Sequence, residues 1–422
     1  MNRVRGFQII LVVLAAFFLG YFVGTTKINL QLKNYNPILS VSSKEPPPGV
    51  NVDFANFWAV WESVDSKYYD KTKIDPQKML NGAIAGMLQT LGDPYTVYLP
   101  PTSNDNFKQG LAGEFQGIGA ELGTKDNKII VISPLENSPA IKAGVKPEDT
   151  ILKVEGESTQ GWSLAQAVEK IRGPKGTTVT LSIQHKGARN PENIKIVRDV
   201  ITVKSIDGYV KRIKDIQNIK ITNNLKPHEN SEVMYLKLSQ FGDNTNKDWI
   251  ALINKLHLST EKNPNFKGAV LDLRNNPGGY LSDATFIAAE FIKQGQTVVI
   301  QETGGGARTT LTTERRGLLL DSPLVVLINK GSASASEIVS GALVDHRRAK
   351  LVGEASFGKG TIQQANDLGN GAGVHVTVAK WLTPKGTWVN GKGLEPDVKV
   401  SLDTKDPAHD AQLEKALEEL IK

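Results

Sequence analysis

Cysteine is absent from the 422 residues. That excludes disulfide staples, thiolate nucleophiles and cysteine-ligated zinc, and it is compatible with export. Histidine is scarce: His185, His228, His257, His346, His375 and His409 are scattered, and no HExxH occurs. No metal or other cofactor is expected from them, and all six read as structural or surface residues. Clustered basic sequence is lacking too. The net charge of +6, from 50 basic and 44 acidic residues, is thinly spread. That pattern suits a solvated surface and argues against nucleic acid as a partner. What remains, 40% hydrophobic and 22% charged, is ordinary for a globular chain long enough for two or three domains.

The chain opens with one apolar run. Arg3 and Arg5 precede Phe7–Val23, in which Gln8 is the only strongly polar residue. Its length matches the shortest membrane-spanning helices. Only a weak cleavage site follows, at Val23-Gly24-Thr25-Thr26. Residues 1–25 are therefore expected to be a signal anchor, with a cytoplasmic N-terminus and the remainder outside, periplasmic or extracellular. Residues 26–50 are polar, end near Pro46-Pro47-Pro48-Gly49, and read as a tether. Residues 51–112 are expected to be helical. Phe54, Phe57, Trp58, Trp61 and Val64 recur at helical steps, as do Met79, Ala83, Met87 and Leu88. Such a stripe is a core or helix-packing face, or more sharply a dimer contact, which would make a homo-oligomer. Gly92 and Pro94 then break the pattern in LGDPYTVYL.

Residues 113–200 read as a β-rich module. The glycine loop QGIGAELG runs into a strand, KIIVI and DTILKV follow as strands, SPAIKAG and Ser163–Ile171 as helices, and TTVTLSI alternates as a strand. Residues 201–422 form the last part. After a polar stretch at 208–230 come the strand VMYLKL, a helix over Trp249–Leu258, the buried strand AVLDL, the turn RNNPGG and a helix over Tyr280–Phe291. This alternation argues a layered α/β core. The strand GVHVTVAKW and a helix over His409–Leu420 complete it.

Chemistry concentrates in Gly331–Gln363. The apolar strand PLVVLIN leads into Ser332, Ser334 and Ser336, and a helical pattern starts at Glu337. A hydroxyl at a strand-to-helix turn is exposed beside free amides of the first helical turn, which suits a nucleophile and an oxyanion hole. The hydroxyl needs a base, and Lys359 in SFGKGT is the strongest candidate. Burial would hold that lysine neutral. Gln363, four residues on, shares its face in a helix or a strand and can orient it. On local chemistry alone the serines serve equally as N-caps, and Gly-Lys-Gly as a surface turn. His346 beside Asp345 does not make a triad, because neighbouring side chains on a helix diverge.

SASASEIVSGALVDH followed by GEASFGKGTIQ resembles the signature of the C-terminal processing peptidases, also called tail-specific proteases. GDPYT, DLRNNPGG and the stretch TPKGTWVNGKGLEPD are similar to other motifs of that family, so the resemblance runs from about Val52 to Val400. The 113–200 module resembles a PDZ domain, departing from it at PEDTI. The resemblance implies a PDZ module inserted before a crotonase-like α/β peptidase core, behind an N-terminal helical segment. It implies Ser334 as nucleophile, Lys359 as base and Gln363 as its support. It also implies an oxyanion hole from the amide of Ala335 and a glycine of the NPGG turn, Gly278 or its neighbour Gly279. Gly117, Ile118, Gly119 and Ala120 would offer amides to the free C-terminus of a protein substrate, whose tail adds a strand beside them. The expected activity is membrane-tethered serine endopeptidase. An inactive peptidase-fold scaffold and a hydrolase or lyase of small acyl substrates are the alternatives; the intact Ser334, Lys359 and Gln363 disfavour the first and the PDZ-like insert the second.

Overall fold

The computed structural model describes Leu14, residues 28–33 and 36–41, Gly49, and 51–422 apart from 126–127, 136–137, 147, 163, 203, 402–405 and 407. The expected signal anchor lies outside the described residues except for Leu14. Among the described residues no helix is long and apolar enough to cross a membrane. The stretch expected as a tether holds a hairpin, Ile28–Lys33 paired antiparallel with Asn36–Val41. INLQLK alternates strictly, a β period that its polar composition conceals.

The core is a six-stranded sheet in the spatial order Ile206–Arg212, Glu232–Leu238, Phe266–Asp272, Leu324–Ile328, Lys350–Gly353 and Val398–Lys399. The first strand is antiparallel to the second and the rest are parallel. The central strands Phe266–Asp272 and Leu324–Ile328 are apolar nearly throughout because both sheet faces are covered there. Met234, Leu236, Ala269, Leu271, Val326 and Ile328 pack with the helices Thr245–Thr260, Leu281–Ala288 and Ala335–Asp345. The alternate residues Val233, Val270, Val325, Leu327 and Val352 pack with the last helix, Ala411–Leu420. Period two thus sends each strand's side chains to two separate cores.

A second sheet, antiparallel throughout, joins Arg308–Thr312, Thr297–Thr303, Gly373–Leu382 and Thr361–Asp367 in that order. Its remaining strand comes from far upstream: Val97–Leu99, within LGDPYTVYL, pairs with Gly373–His375. The N-terminal region is therefore stitched into the core. Its two leading helices, Ala55–Lys67 and Pro76–Gln89, contain no buried residue. The aromatic stripe is accordingly not a core of this chain; Phe57 packs edge-on against Phe54 and Trp58, with ring centroids 6.3 and 5.0 Å apart.

The inserted module hangs on a two-stranded stem, Glu114–Gly117 paired with Asp199–Thr202. Its sheet places Ala120–Lys125 at an edge. Its own core includes Ile129, Val131, Ile151, Val179, Leu181 and Ile183, together with Ala167 and Ile171 of the helix Leu164–Ile171.

Candidate active site

The loops that follow Phe266–Asp272, Leu324–Ile328 and Lys350–Gly353 lie side by side, because those three strands are adjacent and parallel. Open parallel sheets build their sites at such C-terminal strand ends. The three loops carry the NPGG turn, the serines and Lys359. Together with Gln363 they line one cavity of about 440 Å³, which Gly278, Gly279, Ser334, Ala335, Lys359 and Gln363 share.

The three serines separate cleanly. Ser332 is fully buried and its hydroxyl donates to the Leu273 carbonyl at 2.8 Å. Ser336 is fully buried and donates to the Asn276 carbonyl at 2.9 Å. Both fasten the serine turn to the NPGG turn. Ser334 lines the cavity instead, at the head of Ala335–Asp345, with φ +54°. That left-handed backbone is unusual for a serine, and it makes a sharp strand-to-helix turn at the cavity.

Glu337 joins the serine to the lysine. Its carboxylate is fully buried, and one oxygen accepts from the Ser334 amide at 2.8 Å and from the Lys359 amide at 2.9 Å. The other accepts from the Gly358 amide at 2.7 Å and the Ser356 hydroxyl at 2.6 Å. Four donors on one carboxylate fix the spacing of two loops. Indole groups pin the lysine loop from behind: Trp381 Nε1 donates to the Lys359 carbonyl and Trp388 Nε1 to the Gly360 carbonyl, each at 2.9 Å. The flanking glycines are required for this approach, since a Cβ on Gly360 would stand 2.6 Å from Trp388 Nε1. The Gly-Lys-Gly segment is thus buried scaffold rather than a surface turn.

Lys359 Nζ sits 5.0 Å from the centroid of the Tyr95 ring. Among the described residues no carboxylate reaches ion-pair distance of it. Burial lowers its pKa, against the opposing pull of Asp93 and Glu337. Asp93 and Tyr95 belong to GDPYT, which the fold brings to the lysine. Burial would raise the Asp93 pKa, but hydrogen bonds from Thr377, Thr96 and the Tyr95 amide hold it below its ordinary value. Gln363 does not touch the lysine directly; its Nε2 donates to Thr361 Oγ1 at 2.9 Å and Thr377 Oγ1 at 3.0 Å. A chain of hydrogen bonds therefore runs from Gln363 through Thr377 to Asp93.

The NPGG turn divides its glycines. Gly278 packs against the nucleophile turn, where a Cβ would meet Ser334 Cβ at 2.8 Å. Its amide, however, donates to Asn276 Oδ1 at 2.9 Å. Gly279 bridges Phe241 through its neighbours: Phe241 N–H donates to the Gly278 carbonyl and Tyr280 N–H to the Phe241 carbonyl. That leaves the Gly279 amide facing away from Phe241, with no acceptor among the described residues. The same holds for the Ala335 amide at the helix start. Among the described residues the Ala335 and Gly279 amides are thus without an acceptor, while the Gly278 amide has one. Asn276, fully buried, anchors the turn through its Nδ2 bond to the Leu238 carbonyl at 2.8 Å.

Gly117 ends the stem strand and pairs with Asp199. Ile118 is buried in the module core, and its carbonyl accepts from the Ala140 amide at 2.7 Å. Gly119 follows at φ +71°, and Ala120 opens the edge strand. His346 Nε2 contacts the Thr297 carbonyl at 2.7 Å while Asp345 accepts from the Lys385 amide at 2.7 Å, so the two do not form a pair. His375, expected as a structural or surface residue, lines the cavity. Glu337, Asn276, the GDPYT residues and His375 are the site residues that sequence reasoning missed. A signal existed for one of them, since Glu337 falls three residues after Ser334, the capping-box offset.

Comparison with known proteins settles the lineage. The model of peptidase family S41 matches residues 232–400, that of the PDZ domain 108–184, and that of the activating protease CtpB N-terminal domain 20–102. The carboxy-terminal processing proteases CtpB and CtpA of Bacillus subtilis are each 38% identical to this chain, over 81% of it and over 66% and 68% of their own lengths. The chain belongs to peptidase family S41. Its fold is the family's: a PDZ domain set within an α/β peptidase core, behind an N-terminal segment. The solved photosystem II D1 C-terminal processing protease is 29% identical, with a TM-score of 0.51 over 83% of this chain and 95% of that one. S41 members of this kind are serine-type peptidases, and the Bacillus proteins are named for carboxy-terminal processing. The chain spans about two thirds of the length of the Bacillus proteins.

Proposed function

We propose that this protein is a serine endopeptidase that cuts proteins near their C-termini, with Ser334 as nucleophile and Lys359 as general base. One observation carries the reading. A serine on a strained turn and a partly buried lysine with no ion-pair partner among the described residues share one cavity, and both backbones hang on one Glu337 oxygen. Neutral Lys359 takes the Ser334 proton as Oγ bonds to the peptide carbonyl carbon. The carbonyl oxygen becomes an oxyanion held by the amides of Ala335 and Gly279. The C–N bond then breaks as Lys359 returns the proton to the leaving amine. Water, deprotonated by Lys359, attacks the acyl-enzyme and frees Ser334. Gln363, through Thr377 and Asp93, holds the lysine strand and its electrostatics.

The test is incubation with an unstructured protein and mass spectrometry of the products. Wild type should give new C-termini, whereas Ser334→Ala and Lys359→Ala should each lose roughly a thousandfold or more while melting normally. Ser332→Ala and Ser336→Ala should retain Ser334-dependent cleavage. Full activity in Ser334→Ala would sink the reading. A chelator should leave cleavage intact. The apolar run Phe7–Val23 is proposed as a membrane anchor that leaves the peptidase on the far side; fractionation of the full chain against a variant lacking residues 1–25 tests it.

A further inference from the structure

His375 lines the cavity, and the catalytic reading does not use it. Strand register shows where it sits. Gln363 pairs with Thr377, and Ala365 pairs with His375. His375 is thus two residues further from the lysine end, about 7 Å along the sheet. Its ring meets Phe107 edge-on, with centroids 4.5 Å apart. Phe107 and Leu111 come from the helix Pro101–Leu111, which roofs this end of the cavity. Among the described residues no carboxylate lines the cavity; its titratable members there are Lys359, His375 and Tyr280.

We infer that His375 is a specificity-determining residue: with Phe107, Leu111 and Ala365 it forms a subsite that takes a neutral apolar side chain of the substrate and excludes a cationic one. The inference rests on the peptidase reading above. Apolar walls favour an apolar occupant by burial. A lysine or arginine there would lose its hydration with no carboxylate among the lining residues to meet it. Of the charged groups nearby, Asp243 is engaged by the side chain of Tyr280. Lys108, on the roofing helix, is paired with Asp367 at 2.8 Å. Asp105 lies on that helix's other side, in a cleft with Phe115 and Arg172, and Asp93 stands beside Lys359. Burial and the Lys359 charge keep His375 below its ordinary pKa, so it is neutral near neutrality. In mild acid its imidazolium makes the subsite receptive to a carboxylate.

The experiment uses the full chain and peptides that carry Leu, Lys or Glu at each position around the cut. At the most sensitive position wild type should prefer Leu to Lys by about tenfold or more. His375→Asp should narrow that ratio about tenfold while Leu peptides are still cut. An unchanged ratio in a folded, active His375→Asp would overturn the inference. A second readout needs no aspartate. The Glu-to-Leu ratio of wild type should rise as pH falls from about 8 to about 5.5, and His375→Phe should abolish that rise. Ratios at one pH cancel the titration of Lys359. A flat wild-type ratio would overturn the inference; failure of wild type to cut any peptide would overturn the peptidase reading with it.

Discussion

Lys359 is the residue on which pH control turns. Burial disfavours its ammonium form, and Asp93 and Glu337 oppose that shift without cancelling it. The base works only when neutral, so kcat/KM should fall as pH drops through the lysine's lowered pKa and level off above it. A pH–rate profile checks this, and a flat acid side would remove Lys359 from the role. Lys359→Arg should be inactive at every pH, because a guanidinium stays charged. Glu337 makes a different claim. It touches no substrate, yet it sets the distance between the Ser334 and Lys359 amides. Glu337→Gln turns one acceptor into a donor among donors, which should cost about 2 kcal/mol of stability. It should lower kcat with little change in KM, a split read from steady-state kinetics.

Among the elements, the helix Leu281–Ala288 starts where the NPGG turn ends. Asp283 in its first turn accepts from Asn246 Nδ2 of the helix Thr245–Thr260 at 3.0 Å. Asp283 Oδ2 and Asn246 Oδ1 are then both buried with no partner. Burial, aided by the Asp243 charge, pushes the Asp283 carboxyl up to about 6. A group whose folded pKa exceeds its unfolded value of 3.8 binds its proton more tightly when folded. Its contribution to stability is therefore present below about pH 4 and is lost as pH rises through about 6. Asp283→Asn removes that titration and supplies a permanent donor. The variant should gain about 2 kcal/mol over wild type at pH 8 and lose that advantage near pH 4. Thermal melts at the two pH values decide it; parallel curves would rule it out.

At the scale of the whole molecule, the PDZ domain interrupts the chain between the roofing helix and the core. The helix Pro101–Leu111 gives Phe107 and Leu111 to the cavity and runs within a few residues into the stem strand Glu114–Gly117. The free edge at Ala120–Lys125 suits an extended tail, with the preceding loop at its carboxylate. A substrate with a free apolar C-terminus should be cut several-fold faster than the same chain amidated, because amidation removes the charge the loop amides would hold. Equal kcat/KM for both forms, with no binding of C-terminal peptides, would exclude tail recognition.

Much of this protein is legible residue by residue. The strands VMYLKL and AVLDL, the apolar run PLVVLIN, and the turn RNNPGG report local backbone preferences, which neighbours in sequence set. The signature around Ser334, Lys359 and Gln363 is equally local. The strands Thr297–Thr303 and Arg308–Thr312 drew no reading, and the hairpin at 28–41 read as a tether, because short, largely polar strands carry a weak period. The tertiary structure alone decided which serine faces the cavity. Ser332 and Ser336 are spent on carbonyls of a turn some sixty residues upstream. It also decided which amide of the NPGG turn is occupied, by giving the Gly278 amide to Asn276. It carried GDPYT to a lysine more than 250 residues away, and placed His375 in the cavity. The physical reason is strand order. Three loops meet because three parallel strands are neighbours, and that adjacency is a property of the packed sheet rather than of any stretch of chain.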